Sequence, residues 1–174
     1  EGYDAYRKEK YERYLNGEVY NKDSLDIPDS LIYKTKISER EVYGGGGIIQ
    51  DVFVSIDTSD YSQLFRDLAG NGILSTFAFD YVNQHRKEIQ EQYPDFKSFK
   101  NNFDASSLKS ELKSYAEGES IEFNEDDFKL SEHLILTRLK AYIAQDLWSL
   151  EHFYEIINEI NDPLKKALNL IEDD

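Results

Sequence analysis

Residues 130–160 read LSEHLILTRLKAYIAQDLWSLEHFYEIINEI. Apolar residues recur in this stretch at intervals of three and four, which is the period of an α-helix. Between Leu134 and Ala144 they cover so much of the helix circumference that little of it is left for solvent. The pattern predicts one long helix that begins after Asn124, continues to Ile160 and lies at the centre of a helical bundle.

Shorter amphipathic helices are predicted before and after this central one. Apolar residues repeat at three and four in four earlier segments, residues 61–68, 74–93, 96–103 and 108–116. A last helix is predicted to start at Asp162–Pro163, because proline is favoured in the first turn of a helix. Four of its apolar side chains are expected to face inward, namely those of Leu164, Ala167, Leu168 and Ile171.

The beginning of the chain has a different pattern. Residues 4–15 predict an amphipathic helix, and the polar residues 16–30 predict a linker. Residues 31–37 alternate and are rich in β-branched side chains, residues 38–41 can turn, and Val42–Tyr43 begin a return strand. Together these features predict a β-hairpin.

The two patterns divide the chain into two parts. Residues 1–57 hold the first helix, the linker and the β segment, which also includes a short apolar run at residues 48–54. Residues 58–174 form the helical domain. The predicted fold class is therefore mainly α, α+β overall, with a helical bundle preceded by a small hairpin.

Composition excludes several classes of function. The chain has 174 residues with 20 Lys and Arg against 35 Asp and Glu, and a net charge of −15. This sign is wrong for a phosphate-binding surface, so nucleic acid is not expected as a partner. Zero cysteines exclude a disulfide, a thiolate nucleophile and an iron–sulfur cluster. No apolar stretch reaches the roughly 20 residues of a membrane span. A sequence that starts at Glu1 and contains no Met predicts a fragment of a longer protein.

A run of four glycines, Gly44, Gly45, Gly46 and Gly47, is the least ordinary feature of the chain. A phosphate-binding loop would need Lys-Ser or Lys-Thr after the last glycine, but Ile48 follows here. A structural role is favoured, in which the backbone approaches another backbone closely or adopts positive φ between two strands. No cofactor is predicted from this run.

Metal binding by the three histidines, His85, His133 and His152, is also disfavoured. The last two follow glutamates and resemble a repeated pair, but they are 19 residues apart. At about 100° per residue this spacing rotates the second pair by about 100° around a helix. No histidine has a second ligand in a zinc-type spacing, so no metal site is predicted.

Acid–base and serine catalysis have no specific signal either. The 35 carboxylates are spread over the helices, and a solvated acidic face accounts for most of them. Residues 124–128 lack the ligand spacing of a calcium loop and predict a helix start instead. Ser106 and Ser107 stand where a helix N-cap is expected, with Lys109 and Lys113 on the solvent face of the helix that follows.

The segment VYGGGGIIQDVFV, residues 42–54, is similar to the segment that closes the protease core in carboxyl-terminal processing (tail-specific) serine proteases of the Ser/Lys-dyad family, especially those of Bacteroidetes-type bacteria. The resemblance implies a structural motif that contacts this core. Its residues are Tyr43, Gly44, Gly45, Gly46, Gly47, Ile48 and Asp51. Further similar stretches are residues 11–18, 29–31, 77–79, 139–144 and 147–148, so the resemblance covers nearly the whole chain.

Two positions depart from the family pattern. Gln50 stands where the family usually has proline before the aspartate, and Glu39 stands where it usually has glycine before the hairpin arginine, Arg40. The family's serine nucleophile, lysine base and PDZ-type domain lie upstream, and no position of this chain matches either catalytic motif. The resemblance thus implies an endopeptidase whose serine attacks the scissile carbonyl while a neutral lysine accepts the proton. This chain is expected to be inactive alone.

The first hypothesis is a noncatalytic C-terminal region that supports the protease core, assembly or substrate access. The resemblance implies two partners, the upstream core of the same polypeptide and the protein substrates of the parent protein. It places them in the bacterial cell envelope or periplasm. A homo-oligomer is also possible. The alternative is a self-standing acidic helical module that binds a partner protein between its helices. The state of residues 31–54 separates the two, because a severed strand segment would leave a loose edge.

Overall fold

The structure, a computed structural model, describes residues 2, 7, 8, 11, 29–37, 39, 41–44, 52–55 and 57–172. The chain divides into two compact units, Glu1–Asp57 and Thr58–Asp174. In the first unit Arg7, Lys8 and Tyr11 are helical. The rest of the helix predicted at residues 4–15 lies outside the described residues.

A small hairpin is the regular structure described in the first unit. A 3-10 turn at Asp29–Leu31 leads into β1, Ile32–Lys34, which pairs antiparallel with β2, Glu41–Tyr43. The prediction of a strand that continues to Ile37 is wrong. The turn already begins after Thr35, whose carbonyl accepts a hydrogen bond from the N–H of Glu39 at 3.2 Å.

The apolar run at residues 48–54 falls mostly outside the described residues. Its described part, Val52–Val54, is not in a strand. The polar segment predicted as a linker, residues 16–30, is described only at Asp29 and Ser30, where the 3-10 turn begins. In the first unit, the hairpin is therefore the predicted β structure that lies within the described residues.

The second unit contains seven α-helices in its described residues. They are α1 Gln63–Gly70, α2 Ile73–Gln92, α3 Phe96–Asn102, α4 Lys109–Gly118, α5 Glu125–Leu147, α6 Leu150–Ile157 and α7 Asp162–Glu172. Two 3-10 turns, Ala105–Leu108 and Asn158–Ile160, precede α4 and α7. Since the strands of the described residues are confined to one small hairpin, the predicted mainly α fold class is confirmed.

Helix α5 lies at the centre of this unit, as predicted. It contacts α1, α2 and α6, and side chains around its circumference are fully buried. They include those of Ile135, Leu139, Ala141, Ile143 and Ala144. The side chain of Asn124 caps its start by accepting hydrogen bonds from the N–H groups of Asp126 and Asp127 at 2.9 and 3.0 Å, so the predicted helix start is confirmed.

The single long helix predicted to reach Ile160 is wrong. The chain leaves the helix at Trp148, with φ −127° and ψ −83°, and is extended at Ser149. Helix α6 then packs against α5, where the rings of Tyr142 and Phe153 lie 5.1 Å apart. Helical periodicity continues across the break because α5 and α6 each need one buried face, so the apolar spacing did not reveal it.

Helix α7 forms as predicted but does not turn its apolar side chains inward. None of its residues is buried, and the side chains of Leu168 and Ile171 are 50% and 72% exposed. An amphipathic period predicts an apolar face without identifying its partner. The prediction of inward-facing side chains is therefore wrong for Ala167, Leu168 and Ile171, which are exposed, while Leu164 is half-buried.

A buried polar contact joins α1 to α5. The hydroxyl of Ser131 accepts the N–H of Ser62 at 2.9 Å, lies 2.8 Å from the Ser62 hydroxyl, and donates to the carbonyl of Asp60. Ser62 caps α1 by accepting the N–H of Phe65, and Asp127 accepts the N–H of Leu64 at 3.1 Å. Side chains of α5 thus satisfy backbone donors at the start of α1 that would otherwise be unpaired.

We expect Ser131→Ala to lower the free energy of unfolding by about 1–3 kcal/mol, because it leaves the buried N–H of Ser62 without this acceptor. Equilibrium urea unfolding measures the loss. Ser114→Ala is the matched control, since the exposed Ser114 hydroxyl bonds only the Ser110 carbonyl of its own helix, and it should change stability by less than about 0.5 kcal/mol. Equal losses in the two variants would contradict the role given to Ser131.

Candidate functional sites

The start of the glycine run is held against the hairpin. The N–H of Gly44 donates to the carbonyl of Leu31 at 2.7 Å. A Cβ at Gly44 would lie 2.7 Å from Cε2 of the Tyr33 ring. Gly44 thus lies close both to the backbone of Leu31 and to the exposed Tyr33 ring, which would have to move to admit a side chain there. The expectation for the rest of the glycine run stays a prediction, because Gly45, Gly46 and Gly47 lie outside the described residues.

Two residues of the predicted core-contact motif can be placed. Tyr43 is half-buried at the end of β2 and pairs with Ile32, and Gly44 follows it. The remaining motif residues, Gly45, Gly46, Gly47, Ile48 and Asp51, lie outside the described residues. Their predicted role stays a prediction.

Glu39, in the hairpin turn, has a φ of +52°. This is the left-handed region, which costs an L-residue roughly 1–2 kcal/mol and which glycine adopts freely. Glu39 is also the position at which the proteases that the chain resembles usually have glycine. The backbone at Glu39 therefore has a conformation that glycine would favour.

One face of the hairpin carries an exposed apolar pair. Tyr33 and Val42 are directly opposite each other in the register, so their side chains project from the same face. They are 55% and 40% exposed. Two strands of three residues with such a face form a marginal structure by themselves in water.

In the helical unit, aromatic rings gather where α5 ends. The Trp148 ring lies 5.9 Å from that of Phe96 and 5.3 Å from that of Phe99. Phe99 in turn stacks on Phe103 at 4.5 Å and meets Tyr93 edge-on at 5.7 Å. The sequence predicted the one-sided aromatic face of α3, but not that Trp148 would complete it by breaking the central helix.

A serine and a histidine meet beside this cluster. The Ser149 hydroxyl is 2.8 Å from Nδ1 of His152, and the His152 ring lies edge-on to Phe96 at 4.1 Å. A nucleophile needs such a base, but also oxyanion donors and a place for the substrate. Ser149 is the N-cap residue of α6, and the contact spans one turn of that helix. A local contact at a helix start is the simplest account of this pair.

Lys140 of α5 forms hydrogen bonds with the end of α3. Its ammonium group donates to the carbonyls of Lys100 and Phe103 at 2.7 and 3.0 Å. Burial lowers the pKa of Lys140, and nearby Glu159 and Asp104 oppose this shift. The carbonyls belong to the last turn and the C-cap of α3, where a cation is favourable. Lys140 therefore acts as a helix C-cap supplied by another helix.

The other two histidines lie apart from His152. Nδ1 of His85 contacts Glu88 at 3.1 Å on α2, and His133 is exposed on α5. Among the residues that the structure describes, no three His, Cys, Asp or Glu side chains gather in a way that could hold a metal ion.

Ser106 and Ser107 do not cap a helix, contrary to prediction. Asp104 caps the 3-10 turn instead, because its carboxylate accepts the Ser106 N–H at 2.9 Å while its carbonyl accepts the Ser107 hydroxyl at 2.8 Å. Hydrogen bonds from Ser106 hold the pKa of Asp104 below its usual value. Asp104 precedes the two serines and carries a charge, so it takes the capping position first.

Lys109 and Lys113 bind a shared carboxylate rather than simply facing solvent. Their ammonium groups lie 2.9 and 2.8 Å from the two oxygens of Glu125 at the start of α5. They also lie over the rings of Phe128 and Phe123 at 4.5 and 5.6 Å. Hydrogen bonds from Lys113 and then Lys109 lower the pKa of Glu125 to about 2.

The hairpin should become more stable when its left-handed residue becomes glycine. We expect Glu39→Gly to slow hydrogen exchange of the Gly44 amide by about fivefold, equivalent to about 1 kcal/mol, because the cost of positive φ is removed. Glu39→Ala is the control, since it removes the same charge but keeps a Cβ. The account of Glu39 fails if alanine slows exchange as much as glycine.

Stability at low pH should depend on Glu125. Its pKa is lower in the fold than the ordinary 4.5, so the ion pairs stabilise the fold above pH 4.5 and this stabilisation is lost as the pH falls toward 2. We expect Glu125→Gln to lower Tm at pH 7 and to match the parent chain near pH 2. Thermal unfolding at both pH values measures this, and an equal difference at both would contradict it.

Comparison with known proteins gives one match. A model of the family of unknown function DUF8443 matches residues 64–149, which span α1 to the residue before α6. No curated protein and no solved structure matches the chain. No helix in the described ranges is long and apolar enough to cross a membrane. The chain is similar to DUF8443 through the helices that pack around α5.

Proposed function

We propose that this chain is a noncatalytic C-terminal region of a carboxyl-terminal processing serine endopeptidase. Residues 1–57 would complete the protease core, and residues 58–174 would support that core, assembly or substrate access. The parent protein would cleave proteins in the bacterial cell envelope or periplasm. The observation that carries the proposal is the hairpin, whose exposed face and turn geometry suit a strand pair that belongs to a larger sheet.

The exposed face is the first support. Burying the pair Tyr33 and Val42 against further protein would remove apolar surface from water, at roughly 25 cal/mol per Å². Each strand pairs with one other strand in the described part of the chain. A hairpin of this size gains stability when further strands or a packed layer are added. An upstream protease core would supply both.

The turn is the second support. The resemblance places a glycine at the position of Glu39, and the backbone there has the positive φ that glycine favours. Gly44 is the second position, because a Cβ at the start of the glycine run would contact the Tyr33 ring and force it to move. Two positions that the resemblance singles out thus have backbone or packing requirements that suit glycine.

Hydrolysis itself is assigned outside this chain. The sequence carries neither the serine nor the lysine motif of the dyad, and the Ser149–His152 contact lies within one helical turn. In this proposal the present chain supports the protease core, while residues upstream of it would attack the scissile bond.

A self-standing interaction module is the second candidate. The observation that favours it is the DUF8443 match, which covers residues 64–149 and leaves the hairpin out. The helical unit also buries its own apolar core around α5, as a module that folds by itself would.

Peptidase assays on substrates with apolar C termini test the proposal in two forms of the protein, this chain and the longer protein with its upstream segment. We expect cleavage by the longer form only. Tyr33→Glu should lower the Tm of the longer form by several degrees and leave that of the isolated chain nearly unchanged, because the ring is half exposed in this chain alone. Ile37→Glu, at a 99% exposed turn residue, is the control.

Three results would contradict the proposal. Cleavage by the isolated chain that persists through purification would make it catalytic. A Tyr33→Glu variant tolerated equally in both forms would remove the hairpin from the core. Inactivity of both forms, with slow amide exchange in the hairpin of the monomeric chain, would favour the interaction module.

A further inference from the structure

Helix α7 presents an apolar stripe that the described residues leave uncovered except at Leu164, which is half-buried. The stripe consists of Leu164, Ala167, Leu168 and Ile171, spaced at three, one and three so that all four lie on one side of the helix. No residue of α7 is buried, although the helix follows and contacts the 3-10 turn at Asn158–Ile160. An amphipathic helix in this position needs a partner for its apolar side.

The stripe on one copy of α7 is complementary in shape to the stripe on a second copy that runs in the opposite direction. Its midpoint falls between Ala167 and Leu168. In an antiparallel pair of α7 helices centred there, the small Ala167 of each copy faces the large Leu168 of the other. Leu164 likewise faces Ile171. Large side chains thus meet small ones at the centre, which allows two helices to approach closely and pack.

The flanks of the stripe are also complementary. Lys165 and Glu172 are seven residues apart and lie on the same flank. Antiparallel pairing brings Lys165 of one copy, whose ammonium group lies 3.4 Å from Asp162 of its own helix, beside Glu172 of the other copy, and this contact occurs twice. On the opposite flank Leu170, which is 39% exposed, would meet Pro163 of the second copy. Parallel pairing would instead place the flank with Lys165 against the opposite flank of the second copy, which carries Pro163 and Leu170, so Lys165 and Glu172 would not pair.

We propose that α7 is a self-association surface, on which a second copy of this chain binds through an antiparallel α7–α7 contact. The inference goes beyond the proposed function, since the contact needs no protease core. The helix is 11 residues long, about 16 Å at 1.5 Å per residue. The interface is therefore small, and a weak reversible dimer is expected.

Net charge gives this dimer an unusual salt response. Two chains of −15 repel each other, and raising the salt from about 0.02 to 0.5 M screens that repulsion. Because the contact is mainly apolar, the dimer should become tighter as salt is added. An association held by the Lys165–Glu172 pairs alone would weaken instead, and that result would overturn an apolar contact.

Cysteine cross-linking tests the geometry, because the chain contains no cysteine of its own. Ala167→Cys lies near the midpoint and should form a disulfide-linked dimer on mild oxidation. Leu164→Cys should not link to itself, since its two copies would be about 10 Å apart along the axis, beyond disulfide reach. It should link when mixed with Ile171→Cys. Self-linking of Leu164→Cys as readily as Ala167→Cys would overturn the antiparallel contact.

Sedimentation equilibrium tests the association without a cross-link. Leu168→Glu should abolish the dimer, whereas Leu130→Glu should leave it intact, since Leu130 has nearly the same exposure, 51% against 50%, but lies on α5. Lys165→Glu should weaken the dimer more than Lys166→Glu, which changes the net charge equally on the opposite side of α7. Helical content by circular dichroism confirms folding of each variant.

The proposal is overturned if the parent chain stays monomeric up to about 1 mM in high salt, where even a small interface would associate. It is equally overturned if Leu168→Glu and Leu130→Glu have the same effect. Either result would leave the stripe to another protein or to a different part of the parent polypeptide. Peptidase assays of the longer protein are independent of both outcomes.

Discussion

Burial of helix α5 is the constraint around which the helical unit is built. Side chains from Phe128 to Leu147 are buried around its circumference, so it cannot lie at a surface and must be covered by several helices at once. Burial on this scale also forces polar groups on α5 to find partners. Ser131 finds them at the start of α1, and Lys140 finds them at the end of α3. The same two contacts fix which ends of the covering helices meet α5.

The need to cover α5 also explains how the chain continues after this helix ends. Trp148 leaves the helix and places its ring among those of Phe96 and Phe99, so the chain can reverse and α6 can cover another face of α5. Ser149 is extended at the reversal and its hydroxyl contacts His152. A serine beside a histidine is a pair that can act in catalysis. Here both residues lie at the start of α6, and their contact belongs to the local structure of that helix end.

The Tyr33–Val42 face of the hairpin and the apolar stripe of α7 are two of the surfaces on which apolar side chains are exposed in the described residues. Both carry apolar side chains that gain from a partner, whereas the core around α5 is already filled by its own residues. The charge of −15 disfavours a phosphate backbone as a partner, and it means that salt must screen the repulsion between two copies of this chain for α7 to pair with itself.

The sequence alone determined the features that depend on local chemistry. Helical periods located α1 to α5, Asn124 marked a helix start, and the Val42–Gly44 segment marked the return strand and its close approach. The tertiary structure decided the break at Trp148, the pairing of Ser62 with Ser131, and the exposure of α7. The physical reason is that periodicity reports that a helix has an apolar face but does not say which neighbour covers it. A buried polar group is likewise recognised only once its partner, 69 residues away for Ser131, is brought beside it.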